Sequence, residues 1–115
     1  MTEITINRKG NIISGIEISG HSGYAEEGSD IVCAALSTLM QTLDIGLDQV
    51  TGVGSFSTER NDVRGYMACR WDPFDPSYQA GGQTLVHSVV LAMKAIAGTY
   101  PENVHISEVD ASDLL

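Results

Sequence analysis

The sequence predicts an α+β fold: one mixed or antiparallel sheet in the order ββαββαβ, with two helices packed on it. Three observations carry that expectation. Short stretches of period-two alternation come in pairs separated by turn residues, and two longer stretches carry an apolar stripe at helical spacing. Each helix then has one apolar face to bury, and a shared sheet is the surface available to cover both.

Taken in order, Thr2 to Asn7 alternates with Ile4 and Ile6 on one face, Arg8-Lys9-Gly10-Asn11 reads as a turn, and Ile12 to Ser19 alternates again through Ile16 and Ile18. This is the first hairpin. Gly20 to Ser29 holds three glycines and no period, so a mobile loop is expected there. Ser29 or Asp30 can cap the helix that follows, whose stripe of Leu36, Leu39, Met40, Leu43 and Leu47 runs to about Gln49. Gly52 to Thr58 is expected to be a strand, Glu59-Arg60-Asn61-Asp62 a turn, and Val63 to Trp71 its partner strand, with Val63, Met67, Cys69 and Trp71 sharing a parity. Asp72 to Ser77 contains two prolines and breaks regular structure. Leu85, Val86, Val89, Val90, Met93, Ile96 and Ala97 form the second helical stripe, ended by Gly98 and Pro101. Val104 to Val109 closes as a strand, and the polar tail beyond Asp110 is expected to fray.

A chain of 115 residues without a repeat, a low-complexity tract or a Pro/Ser linker is expected to be a single domain over residues 1–115. No uninterrupted apolar run approaches the roughly 18 residues that cross a bilayer, and Met1 to Arg8 lacks the pattern of a secretory signal. The expectation is a soluble, cytoplasmic protein with no membrane partner. With 15 acidic and 6 basic side chains the formal charge is −9, which repels a phosphate backbone and argues against direct nucleic-acid binding. Cys33 and Cys69 form no CxxC pair, and His21, His87 and His105 are scattered singly, so neither a disulfide nor a structural metal site is expected.

Cys33 falls in the first turn of the first predicted helix, where unsatisfied backbone N–H groups and the positive end of the helix dipole favour a thiolate. His21 lies twelve residues earlier, at the end of a strand, and a loop of that length can return to set it beside the helix start. The pair then reads as nucleophile and base. The same spacing supports a plainer reading, because Cys33 stands three, seven and ten residues before Leu36, Met40 and Leu43 and free cysteine packs readily in cores. Asp30 has two readings also, as the helix cap or as a third triad member orienting the imidazole. Cys69 shares the parity of Met67 and Trp71 and reads as a buried thiol, while His87 and His105 read as surface residues. Leu91, off the stripe of its helix, is a candidate dimer contact. Tyr24 and Phe74 are candidates for either a substrate groove or structural anchoring.

Gly20-His21, small residues, Glu26 or Glu27, Gly28, and then Asp30-Ile31-Val32-Cys33-Ala34 resemble the signature of the ribosomal-processing cysteine proteases, the small Prp (YsxB-like) family. The His-to-Asp and His-to-Cys spacings agree, and the resemblance extends to length and element order; Ser22 stands where alanine is common. It implies a cysteine endopeptidase with Cys33 as nucleophile and His21 as proton-transfer partner, supported by Asp30, with the intervening loop covering the site. It further implies a homodimer, no cofactor, and as substrate the precursor of a large-subunit ribosomal protein from which a short N-terminal extension is removed. In the implied mechanism backbone N–H groups at the helix start stabilise the oxyanion. The alternatives are a catalytically silent, ribosome-associated peptide-binding module and a redox sensor using Cys33 alone.

Overall fold

The computed structural model describes residues 1–21, 23–26 and 30–110. Five strands form one sheet in the order β3-β4-β2-β1-β5. They are β1 (Thr2–Lys9), β2 (Ile12–Ser19), β3 (Ser57–Asn61), β4 (Tyr66–Arg70) and β5 (Val104–Asp110). Helices α1 (Ile31–Ile45) and α2 (Gln83–Thr99) complete the predicted ββαββαβ order. Neighbouring strands are antiparallel except β1 and β5, so the sheet is mixed.

Parity decides which side of the sheet is covered. Ile4, Ile6, Ile16 and Ile18 are paired across β1 and β2 and lie within the core with Val32, Leu36, Met40 and Leu43 of α1 and Val86, Val89, Val90 and Met93 of α2. Each such side chain contributes about 1.5–3 kcal/mol on burial, before conformational entropy is subtracted. Glu17 and Arg70, of the opposite parity, form an ion pair on the other face of the sheet.

Both hairpins form, but their boundaries differ from the expected ones. The first turn is only Gly10-Asn11, because β1 runs on to Lys9 through a register shift at Asn7/Arg8. In the second, Gly52 to Phe56 is irregular: the backbone N–H of Val53 bonds the Leu47 carbonyl at 2.8 Å and the Val53 side chain enters the core. The strand therefore starts at Ser57, and Glu59 to Asn61, expected as a turn, are strand residues. The turn falls at Asp62–Gly65, where Gly65 has φ +62° and the Arg64 N–H donates to Asn61 Oδ1. Val63, expected inside a strand, stands 94% exposed at its tip.

The first helix continues through one π turn, Gly46–Val50. The 20 residues Ile31–Val50 together reach the length and hydropathy of a bilayer-crossing helix, which a search for uninterrupted apolar runs does not detect. Here that apolar content covers the sheet: Val32, Leu36, Met40, Leu43 and Leu47 are at most 2% exposed. The second helix is likewise preceded by a π turn, Tyr78–Gly82, and the Trp71 and Tyr78 rings stack at 5.6 Å. The Trp71 indole N–H donates to the Ile13 carbonyl at 2.9 Å, tying this segment to β2. The expected fraying tail beyond Asp110, and Gly28 in the expected mobile loop, lie outside the described residues.

Candidate active site

The C-terminus of β2, the N-termini of β1, β4 and β5 and the start of α1 meet at one edge of the sheet. A cleft of about 330 Å³ opens there, and both His21 and Cys33 line it. Two residues twelve positions apart in sequence are thus brought to one cavity by the topology.

His21 is placed by glycines on either side. Gly20 has φ +85°, and a Cβ at that position would lie 2.7 Å from the Met1 carbonyl oxygen, so only glycine fits. Its N–H donates to the Gly65 carbonyl at 3.0 Å, fastening the end of β2 to the β3–β4 turn. Gly65 in turn lies against the imidazole: a Cβ there would stand 3.1 Å from His21 Nε2.

Cys33 is placed by Asp30. The helix cap is Asp30 and not Ser29, which lies outside the described residues; the Asp30 carboxylate accepts hydrogen bonds from the N–H groups of Val32 and Cys33, both at 3.0 Å. Asp30 is 8% exposed, and its backbone carbonyl accepts from Ala34 N–H at 3.1 Å. This corrects one expectation. The N–H groups of Val32, Cys33 and Ala34 are all committed to Asp30, so the helix start does not present them to a developing oxyanion.

The rest of the cleft comes from residues that the sequence reading left unassigned. Ile18, Leu36 and Met67 supply apolar surface, and Thr2, Ser37, Arg60 and Asp62 supply polar groups. Ser37, four residues after Cys33, was legible as a neighbour on the same helical face. Arg60 and Asp62, paired at 2.6 Å, carried no signal, since they were read as a turn. The Thr2 hydroxyl is buried, with no hydrogen-bond partner among the described residues. Tyr66 also borders the cleft but turns its hydroxyl to Glu17 at 2.8 Å, where Arg70 bonds both. Burial raises the Tyr66 phenol above its usual value, against the opposing hydrogen bond from Arg70.

Cys69 is buried, as expected, and burial together with the Asp44 charge pushes its thiol up to about 12. It is a poor nucleophile. His87 and His105 are exposed, and His105 Nδ1 lies 2.8 Å from a Glu3 oxygen. Tyr24 packs edge-on against Tyr100 with centroids 5.3 Å apart, an anchoring contact, while Phe74 and Leu91 are exposed at 59% and 65%. Neither Tyr24 nor Phe74 lines the cleft. Among the described residues no group of three His, Cys, Asp or Glu side chains comes together to hold a metal.

Residues 1–105 match the model of a known family, cysteine protease Prp. The chain belongs to that family. A ribosomal processing cysteine protease Prp from Bacillus subtilis is 25% identical over 113 residues, covering 93% of this chain and 96% of the relative. The fold is shared with the crystal structure of the Staphylococcus aureus ribosomal processing protease Prp carrying a covalently linked product peptide, at TM-score 0.84 and 19% identity over 95% of this chain and 100% of that one. It is also shared with a Streptococcus mutans protein, SMU.848, at TM-score 0.79 and 30% identity over 96% of this chain and 95% of that one. Cysteine protease chemistry is thus the activity of the family to which the chain belongs, and the cleft at the sheet edge holds the cysteine and histidine that such chemistry requires.

Proposed function

We propose that the chain is a cysteine endopeptidase that removes the short N-terminal extension of a large-subunit ribosomal protein precursor. The observation that supports it most is the shared cleft: a helix-start cysteine and a strand-end histidine in one cavity, in a chain of the Prp family. The Bacillus subtilis relative is a ribosomal processing protease, and the Staphylococcus aureus relative has been seen with a substrate peptide and with a product peptide covalently attached.

In this reading His21 accepts the proton from the Cys33 thiol, and the thiolate adds to the scissile carbonyl. The tetrahedral intermediate collapses as His21 protonates the leaving amine, and water then hydrolyses the thioester through the same imidazole. Asp30 is a positioning residue whose two cap bonds hold the first turn on which Cys33 is mounted. With the N–H groups of Val32, Cys33 and Ala34 committed to Asp30, the oxyanion is received elsewhere; Ser37 carries a hydroxyl donor in the same cleft. The unit that acts is the single domain 1–115, working as a homodimer in the cytoplasm without a cofactor.

The test is a peptide spanning the leader junction of the precursor, incubated with the parent protein and with Cys33→Ala and His21→Ala. Cleavage at one bond by the parent, with a loss of roughly 10³-fold or more in either variant, is the expected result. Cleavage by Cys33→Ala at the parent's rate would end the assignment.

A further inference from the structure

Helices α1 and α2 lie side by side on the sheet, and the end of α1 meets the start of α2, where Gly46 leaves no room for a Cβ beside Leu85. Each turns its buried stripe to the sheet, so the opposite side of each faces away from the molecule. That outer side is unlike an ordinary solvated helix face. On α1 it carries Ile31, Ala34, Thr38 and Ile45, at steps of three, four and seven residues; on α2 it carries Thr84, Ser88, Leu91 and Ala95, at steps of four, three and four. All of these are exposed and none is charged. Ile31, Ile45 and Leu91 are 56%, 52% and 65% exposed. Packing on the sheet does not account for this composition, since only 33% of the most apolar 18-residue stretch within Ile31–Val50 is buried. The one Asp, Glu, Lys or Arg of each helix lies off the outer side: Asp44 borders the cavity toward β3, and Lys94 reaches Glu108 of β5 at 3.5 Å.

The charge distribution selects the occupant. Without a cation the face has nothing to hold a nucleic acid or an anionic lipid surface. A second copy of a chain of formal charge −9 is repelled wherever carboxylates meet, as they would on the open side of the sheet, where Glu17 and Glu59 both stand beside Arg70. The helical layer lets two copies meet without that contact. Helices of 15 and 17 residues, about 22 and 25 Å long and about 10 Å across, give roughly 500 Å² in projection. The accessible area of a corrugated face exceeds its projection, toward the roughly 800 Å² per partner of a stable complex.

We infer that two copies of the chain associate through the outer faces of α1 and α2, and that this contact braces the turn that carries Cys33. Ile31 and Ala34 flank Cys33 in that turn, so covering them holds it from the side away from the sheet. Ser88 and Ala95, small residues one turn to either side of Leu91, leave room for a leucine of the second copy. The association stands on the surface alone; its effect on cleavage rests on the peptidase reading.

The experiment follows mass by sedimentation equilibrium over a dilution series, and cleavage of the junction peptide per chain over the same series. The parent should be a dimer whose kcat/KM falls about tenfold as it dissociates, with one midpoint for both readouts. A symmetric contact loses the leucine on both copies, so Leu91→Glu should weaken association about 10²-fold or more, and Ile45→Glu, on the other helix, should do the same. Val63→Glu, at the tip of the β3–β4 hairpin and 94% exposed, should leave the mass unchanged. A parent that stays monomeric throughout would overturn the interface and the homodimer with it, whereas a dimer that survives both substitutions overturns the interface alone. Dissociated chains that cleave at the dimer's rate would overturn the bracing. If the parent dimerises and cuts nothing, the peptidase reading fails, and amide exchange decides the bracing: Val32 to Leu36 should exchange faster in Leu91→Glu than in the parent, and equal rates refute it.

Discussion

The placement of His21 against Gly65 can be tested by adding one methyl group. Gly65 has φ +62°, and a Cβ there would lie 3.1 Å from His21 Nε2, 3.2 Å from His21 Cε1 and 3.2 Å from the Gly20 carbonyl oxygen. Gly65→Ala therefore has two effects. The left-handed backbone costs about 1 kcal/mol, equivalent to about 4 °C in Tm for a chain of this size. The methyl group also presses on the imidazole, which must give by a few tenths of an ångström. Since a misplacement of about 1 Å can cost on the order of 10²-fold in rate, a shift of this size should lower kcat/KM roughly tenfold. Gly10→Ala separates the two effects. Gly10 has φ +63° but nothing within 4 Å of its Cβ position, so it carries the backbone cost without touching the site. The assays are thermal unfolding and steady-state cleavage of the junction peptide, on both variants side by side. Similar losses in Tm with a loss of kcat/KM confined to Gly65→Ala are expected. If the two variants cleave within about twofold of each other, Gly65 does not hold the histidine and the account of the site is wrong.

Asp30→Ala should lose about 1 kcal/mol in urea unfolding through the missing cap, whereas Asp30→Asn, also a good cap, should stay within about 0.5 kcal/mol and keep its activity. A stable but inactive Asp30→Asn would instead assign the carboxylate charge to the His21 cation, the triad role. Iodoacetamide at pH 8 should place one label on the native protein, at Cys33, with Cys69 modified only in denaturant; peptide mapping reads this directly. Because the folded Cys69 thiol titrates at about 12, above its ordinary value, its contribution to stability is intact below that ordinary value and lost as pH rises toward 12. Cys69→Ala should therefore flatten the alkaline limb of the stability curve, and an unchanged limb would refute the assignment. Trp71→Phe removes the donor to the buried Ile13 carbonyl and should cost about 1–3 kcal/mol, measured as a lowered urea midpoint; a smaller loss would mean that water replaces the indole.

Much of the fold was legible because periodicity and burial agree wherever one face of an element is covered. Ile4, Ile6, Ile16 and Ile18 alternate in sequence and are buried together, and the leucines and Met40 of α1 form the stripe that covers them. Legibility fails at β3, where every residue of Ser57–Asn61 is exposed. A strand with no buried face has no period to read, and the strand expected over Gly52 to Thr58 falls largely on a segment whose apolar residues, Val53 and Phe56, pack from irregular backbone. The misplaced strand displaced the turn, and Arg60 and Asp62 lost their place beside the cleft. The crossover that sets β5 parallel to β1 was likewise silent, because strand order depends on which edge accepts the last strand and not on any local pattern.

The site divides in the same way. The positions of Cys33 and His21 followed from local signals, a capped helix start and a strand end, and the motif that joins them is contiguous in sequence. Much of what surrounds them is contributed by Thr2 and by the β3–β4 hairpin, 18 or more positions from the motif, and only tertiary structure brings these together. The same distinction explains the oxyanion correction. A helix N-terminus is favourable to an anion only through N–H groups that have no other acceptor. From sequence, Asp30 reads as a helix cap, the more common role for an aspartate there, or as a partner of His21. The structure shows its Oδ1 accepting from both Val32 and Cys33, so the aspartate that fixes the nucleophile's turn also takes the donors that a bare helix start would have offered the substrate. In the proposed mechanism, positioning of the thiol and stabilisation of the oxyanion are then carried by different parts of the cleft, with the Ser37 hydroxyl, and not these N–H groups, as the candidate donor for the second task.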